Sequence, residues 1–167
     1  ECFIGTGSIH EGEQLGCALS HFLEHMVFQG RRGYPGTTAA DTINRIGGQM
    51  NAYTSFDHTA YHAQLSGRHL KTAIEVIAAM VCHPEFPEER FASEREVILR
   101  ERELSFDQPE RRLFEETNRT VFRHHPVRHP IIGYRELIAG VTRDTIAAYH
   151  RRRYTPGRCF WVIVGDV

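Results

Sequence analysis

The chain lacks the features that mark several large protein classes. Its 167 residues contain no run of 18 apolar residues, so the sequence predicts no membrane-spanning helix. The formal net charge is −1, and no basic patch carries interleaved aromatic residues, which argues against nucleic-acid binding as the main role. No Gly/Ser-rich or Pro-rich stretch divides the chain, and 41% of its residues are hydrophobic. We therefore predict one domain, comprising residues 1–167, with one substantial core.

Cysteine is scarce, and its spacing excludes a common kind of zinc site. The four cysteines, Cys2, Cys17, Cys82 and Cys159, form no C-x-x-C pair, which argues against a zinc ribbon. They are predicted to be reduced and mostly buried thiols. Reduced thiols favour a soluble protein of the cytoplasm or an organelle matrix over a periplasmic one, although the compartment itself is not encoded in these residues.

The most informative motif is His21-Phe22-Leu23-Glu24-His25, which has the order H-x-x-E-H. Two histidines four residues apart lie on one face of a helix and can hold the same metal ion. Glu24 lies beside that face, where it could take a proton from a zinc-activated water, as in the inverted form of the zinc-protease motif. A pair of hydrogen-bonded core histidines is the alternative. Burying Glu24 in an apolar helix is costly without a nearby cation, which favours the metal.

The segment around this motif has the pattern of a buried helix. Apolar residues recur at spacings of three and four from Glu13 to Phe28, and Gly30 is predicted to end the helix. The following segment, Arg31 to Gly36, is predicted to be an exposed loop. The apolar residues are Leu15, Leu19, Phe22, Leu23, Met26 and Val27.

A catalytic zinc usually takes three protein ligands, so a third is needed. The segment from Pro87 to Leu104 predicts a helix that opens with proline and acidic residues. Glu94 and Glu101 lie seven residues apart, two turns along one face and next to the apolar stripe. The spacing alone does not choose between them. The predicted stripe consists of Phe91, Ile98 and either Val97 or Leu104, whereas Glu89, Glu96 and Glu103 point elsewhere.

Together with these residues, further blocks along nearly the whole chain resemble the pitrilysin/insulinase family of inverted-zincin metallopeptidases. The match is closest to the branch that contains the mitochondrial processing peptidase. The joint occurrence of these blocks in the family's order is highly specific. Besides the motif and the Glu94 to Glu101 helix, the blocks are Gly7-Ser8 with Glu11 and Gly16, Met26 to Gly30, Gly47 to Ser55, Thr59 to Tyr61, His125-Pro126 with Pro130 to Gly133, Tyr154 to Pro156 and Val164 to Asp166.

The resemblance assigns roles that the spacing leaves open. It implies that Glu101, 76 residues after His25, is the third ligand of one Zn2+ per domain. It implies that Glu94 supports the ligands and influences catalysis without binding the metal. It also implies that Asn51 and Ala52 contact an extended peptide substrate through main-chain hydrogen bonds. Without the resemblance, the segment around Asn51 would be interpreted as an ordinary hairpin strand.

The predicted fold is α+β, mainly an antiparallel sheet packed against a layer of helices, as in a processing-peptidase-like metallohydrolase domain. The resemblance also implies that the chain is a fragment that lacks N-terminal strands and at least one later domain of the same fold, fused or supplied as a separate subunit. Strands are predicted near Cys2 to Gly5, Gln49 to Ser55, His58 to Ser66 and Cys159 to Gly165, and further helices near Thr38 to Ile46, Arg68 to Val81, Pro87 to Ser105, Glu110 to Phe122 and Thr142 to Arg153.

The function predicted from the sequence is that of a zinc metalloendopeptidase. Its substrates would be extended peptides or small unfolded proteins, with Glu24 as general base, Glu94 in support, and zinc held by His21, His25 and Glu101. The alternative is a non-catalytic structural or substrate-presenting subunit of a processing-peptidase-like complex. The intact motif argues against that alternative, because non-catalytic members of the family typically lose one or more of these residues.

Overall fold

The computed structural model describes residues 1–30 and 38–166. The predicted loop from Arg31 to Gly36 lies outside the described residues. The fold is α+β, as predicted, with one antiparallel sheet and helices of very different length. The strands are β1 (Cys2–Ile4), β2 (Gln49–Thr54), β3 (Thr59–Gln64) and β4 (Cys159–Trp161), and the helices are α1 (Leu19–Gln29), α2 (Ala39–Arg45), α3 (Leu70–Cys82), α4 (Glu88–Phe106), α5 (Pro109–Val121), α6 (Arg135–Ala139) and α7 (Arg143–Arg153).

The four strands are hydrogen-bonded in the order β2-β3-β1-β4, and all three pairs are antiparallel. β2 and β3 form a hairpin in which Ala52 faces Tyr61, and β2 is an edge strand. The chain leaving β1 packs closely on the hairpin turn, where Ser8 N–H donates to the Ser55 carbonyl over 3.2 Å. A side chain at Gly7 would bring Cβ to 2.5 Å from the Ser55 oxygen, so this close approach requires glycine.

Helix α1 lies at the centre of the molecule and contacts helices α2, α3, α4 and α7 and strand β2. Its apolar residues Phe22, Leu23 and Met26 are fully buried. The rings of Phe22 and Phe91 stack with centroids 4.9 Å apart and planes 4° from parallel, which joins α1 to α4. The two helices that carry the predicted ligands are therefore packed directly against each other.

The predicted start of the motif helix was wrong. The helix begins at Leu19 instead of near Glu13, and the preceding segment contains a 3-10 turn at Gly12–Gln14. Gly16 has a φ of 85° and Ala18 a φ of 57°, which are left-handed conformations that a helix cannot contain. Leu15 fits the helical spacing of the sequence, but it lies in this irregular segment.

Other differences concern the ends and faces of elements. The short helix α6 was not predicted, and β4 ends at Trp161 instead of Gly165. Leu104 is 66% exposed, whereas Leu99 is buried and completes the apolar stripe of α4 with Phe91 and Ile98. All four cysteines are free, but only Cys2 is fully buried and Cys82 is exposed, so the expectation of mostly buried thiols was wrong.

Within residues 1–30 and 38–166, no helix combines the length and the apolar character that a membrane crossing requires.

Candidate metal centre

The two motif histidines lie one turn apart on the side of α1 that borders a cavity. Their rings meet edge to face with centroids 4.7 Å apart. Phe22, Leu23 and Met26 bury the opposite side of the helix, so the position of α1 is fixed by its core packing. The i, i+4 spacing thus presents two imidazoles to one point, as the sequence predicted.

Glu101 reaches this point from α4. Its Oε2 atom lies 3.6 Å from Nε2 of His21 and 3.6 Å from Nε2 of His25. The three potential ligand atoms all lie within 4.8 Å of one another. In a tetrahedral zinc site with bonds of about 2.0–2.1 Å, ligand atoms are separated by about 3.3–3.4 Å. The observed separations to Glu101 are close to that value, so these three side chains could hold one such ion with small adjustments.

The protonation of His21 suits a metal ligand. Burial, together with the nearby charge of His25, lowers the pKa of His21 to about 3. The imidazole is therefore neutral at pH 7, which is the form that binds metals. Its close approach to Glu101 is then not an ion pair. Nδ1 of His21 is buried and has no hydrogen-bond partner among the described residues.

His25 is oriented by Glu94. Nδ1 of His25 lies 3.1 Å from Oε2 of Glu94, and Nε2 of Gln29 donates to Oε1 of the same carboxylate over 2.8 Å. A carboxylate that binds Nδ1–H fixes the ring and leaves Nε2 free to bind a metal. Burial alone would lower the pKa of His25, but its hydrogen bond to Glu94 and the surrounding carboxylates raise it above the usual value.

Glu24 is buried beside the three potential ligands and is not one of them. The Thr54 hydroxyl donates to Oε2 of Glu24 over 2.6 Å. Burial raises the pKa of Glu24, while the hydrogen bond from Thr54 and the charge of His25 oppose that rise. A carboxylate whose pKa is raised toward the working pH can both accept and return a proton.

These groups open into a cavity of about 620 Å3. His21, Glu24, His25 and Glu101 line one side of it, and Ala52 of β2 also borders it. Asn51 does not line this cavity. Its side chain is on the exposed strand β2 and accepts a hydrogen bond from the Ala52 N–H over 2.9 Å. The rest of the lining mixes apolar and charged side chains. The apolar ones include Phe56, Phe114, Val127, Ile131 and Ile132, and the charged ones include Glu110, Arg111, Glu115 and Arg128.

Sequence reasoning missed two residues of the site. Thr54 binds Glu24, and the alternation of β2 could have indicated it, because Thr54 lies on the same face of the strand as Ala52. Gln29 binds Glu94 from the turn of α1 that follows His25. Its i, i+4 relation to His25 was visible, but no spacing in the sequence indicates that Glu94 lies between them.

Comparison with known proteins agrees with these features. Residues 2–135 match the model of the family described as insulinase, peptidase family M16. The chain is 33% identical over 165 residues to an uncharacterized zinc protease, YmxG, of Bacillus subtilis, which covers 99% of this chain and 40% of that protein. It is 31% identical over 165 residues to a probable mitochondrial-processing peptidase subunit beta of Arabidopsis thaliana, covering 99% of this chain and 31% of that one.

Solved structures show the same fold. A protease from Helicobacter pylori superposes with a TM-score of 0.89 at 27% identity, over 95% of this chain and 38% of that one. Pitrilysin superposes with a TM-score of 0.83 at 22% identity, over 95% of this chain and 17% of that one. The chain thus spans two fifths or less of the length of these proteins.

Proposed function

The chain belongs to the insulinase family, peptidase family M16, and from this premise we propose that it is the zinc-binding catalytic part of a metalloendopeptidase. The convergence of His21, His25 and Glu101 on one point is the observation that carries the proposal. Its proposed substrates are extended peptides or small unfolded proteins. The proposal extends to one Zn2+ per chain, because the three side chains form one cluster.

Each polar side chain of the site has a separate role in this proposal. Bound zinc would act as a Lewis acid that polarises water and the substrate carbonyl. His21 contributes a neutral imidazole, and Glu94 holds His25 in the orientation that a ligand needs. Glu24 accepts a proton from the attacking water and returns it to the leaving amine, with Thr54 holding its carboxylate in place.

The edge strand β2 offers a way to hold the substrate. An extended peptide can add to a free sheet edge through main-chain hydrogen bonds. Ala52 borders the cavity, and its N–H is engaged by the Asn51 side chain. We propose that a substrate carbonyl replaces the Asn51 oxygen on this N–H. Ala52 would then hold the substrate through its N–H, and the Asn51 side chain, freed from this N–H, would lie beside the bound peptide, although only Ala52 borders the cavity.

The test separates metal binding from proton transfer at Glu24. In the full-length, zinc-loaded protein, Glu24→Gln is expected to keep about one zinc per chain and to lower kcat/KM for a flexible fluorogenic peptide by about 10²- to 10⁴-fold. Glu96→Gln, an exposed position on α4, is the matched control and should leave both quantities unchanged. Near-normal cleavage by Glu24→Gln would remove Glu24 from the mechanism. Zinc binding without any cleavage by the unmodified protein would favour the alternative, a structural or substrate-presenting subunit.

A further inference from the structure

Helix α1 starts in an unusual way for a helix that carries two potential metal ligands. The residue before it, Ala18, has φ 57° and ψ 34°, and its side chain makes no capping hydrogen bond. It is the only non-glycine residue with a positive φ in the described part of the chain. Ala18, Leu19 and Ser20 are all buried, so water cannot serve the free N–H groups of the first turn. A buried helix N-terminus needs an acceptor from elsewhere.

Glu11 supplies that acceptor from seven residues before Ala18. Its side chain is buried, at 1% exposure, and Oε1 accepts a hydrogen bond from Ser20 N–H over 3.0 Å. Burial raises the pKa of Glu11 to about 7, while hydrogen bonds from the Ser20, Leu19 and Ala18 backbone oppose the rise. A carboxylate at a helix N-terminus also interacts favourably with the helix dipole. The proposed mechanism does not use this buried carboxylate.

The segment that carries Glu11 to α1 is held by close backbone packing. Gly16 has a φ of 85°, and its carbonyl accepts a hydrogen bond from Tyr134 N–H over 2.8 Å. A Cβ at Gly16 would lie 2.6 Å from the Tyr134 ring, so the contact depends on glycine. The first turn of α1 is also tied to α7, because the Ser20 and Tyr149 hydroxyls lie 2.8 Å apart.

The two ends of α1 are therefore anchored separately. At the C-terminal end, the Gly30 carbonyl accepts a hydrogen bond from Glu85 N–H over 3.0 Å. At the N-terminal end, Glu11 binds Ser20, and Ser20 directly precedes His21. A change at Glu11 would consequently shift the end of the helix that carries His21 before it shifts the turn that carries His25.

We propose that Glu11 is a positioning residue that fixes the first turn of α1 and thereby sets where His21 meets His25 and Glu101. Glu11 contacts neither the potential ligand atoms nor the cavity, so it acts through Ser20 and the helix backbone. The expected change in zinc affinity rests on the proposed function. The consequence for the backbone of α1 does not, because it concerns the metal-free protein.

The test compares Glu11→Gln and Glu11→Ala with Ile77→Ala in the full-length protein. Ile77 is a buried residue of α3 that does not line the metal cavity, so its variant reports a general loss of stability. Zinc affinity is measured by competition with a chelator, at a temperature where each variant is folded. Changes to groups that orient metal ligands weaken metal affinity about 10- to 100-fold. We expect a loss in this range for Glu11→Ala, a smaller one for Glu11→Gln, which keeps one acceptor oxygen, and none for Ile77→Ala.

A second readout makes the outcome independent of zinc. In the metal-free protein, amide hydrogen exchange in the first turns of α1 should accelerate in both Glu11 variants more than in Ile77→Ala. If zinc affinity and α1 exchange in Glu11→Gln match those of Ile77→Ala, Glu11 is merely structural and the inference is overturned. If Glu11→Ala does not fold, Glu11→Gln decides the question. Absence of zinc binding by the unmodified protein would refute the proposed function, whereas the exchange measurement would still test Glu11.

Discussion

At the scale of single residues, Glu94 and Glu101 are chemically identical and lie two turns apart on one helix, yet their surroundings differ. Glu94 has both oxygens engaged, one by His25 Nδ1 and the other by Gln29. Glu101 approaches Nε2 of both histidines with a single oxygen. Sequence spacing could not choose between them, because it places both on the same face. These different partners support Glu101 as the metal ligand and Glu94 as the acid that orients His25.

These assignments predict that substitutions of Glu94 and Glu101 lower zinc affinity by different amounts. Glu94→Gln is expected to weaken zinc affinity about 10- to 100-fold, because it disturbs the orientation of His25, and Glu101→Gln should weaken it more than about 100-fold, because it removes a direct ligand. The measurement is metal analysis after dialysis, followed by competition with a chelator. Glu103→Gln, an exposed position on the same helix, is the control. A larger loss for Glu94→Gln than for Glu101→Gln would reverse the assignment.

At the same scale, the pH dependence of zinc affinity is expected to follow the protonation of His25. Zinc must displace the proton from His25, whose pKa is raised, whereas His21 is neutral above about pH 3. Zinc affinity should therefore fall about tenfold per pH unit as the pH drops below the pKa of His25. Glu94→Gln removes a negative charge and weakens a hydrogen bond that both raise this pKa, so the pH at which affinity begins to fall should move downward. Chelator competition over a pH series measures the shift, and an unmoved break would show that Glu94 does not control His25.

At the scale of secondary structure, periodicity predicted the long elements well and their boundaries less well. Helix α4 was expected from Pro87 to Ser105 and spans Glu88–Phe106, because its stripe of buried residues and its N-terminal signals agree. The start of α1 was missed because Leu15 continues the helical spacing by coincidence. Its true start depends on Ala18 adopting a left-handed conformation and on Glu11, and neither is encoded in local spacing. Tertiary packing decided both.

The stack of Phe22 on Phe91 is expected to hold α1 and α4 together. Phe91 is 1% exposed, so Phe91→Ala would leave a cavity and lower the free energy of unfolding by about 3–5 kcal/mol. Leu104→Ala on the same helix removes a side chain that is 66% exposed, and should change this quantity by no more than about 0.5 kcal/mol. Urea denaturation followed by circular dichroism compares the two. Equal effects would show that the stack contributes nothing specific to the packing of the two helices.

At the scale of the whole molecule, the candidate centre lies in a cavity whose lining helices are buried to different degrees. The potential ligands come from the buried helix α1 and from α4, whereas α5, which contributes Phe114, Arg111 and Glu115 to the lining, has no buried residue. Leu113, Phe114 and Val121 of α5 are each more than half exposed. Exposed apolar surface of this kind marks places where another part of a protein or a ligand binds. The sequence predicted α5 as a helix but could not reveal that its apolar side chains remain exposed to solvent.

Because α5 borders the cavity and has no buried residue, efficient catalysis is expected to need more than this chain. The potential ligands and Glu24 lie within this chain, which spans 40% of the zinc protease of Bacillus subtilis that it resembles. Substrate orientation and stabilisation of transition-state charge each contribute several kcal/mol in enzymes. We propose that a further domain of the same fold, fused to this chain or supplied as a separate subunit, contributes the missing part of both effects.

The isolated chain should therefore bind about one zinc yet cleave a flexible fluorogenic peptide poorly, while Asn51 and Ala52 still bind an extended peptide weakly. Cleavage by the isolated chain is compared with that of the full-length protein, each as the unmodified form and as Glu24→Gln. Equal turnover by the two unmodified proteins, abolished in both by Glu24→Gln, would show that these residues form a complete active site without a further domain.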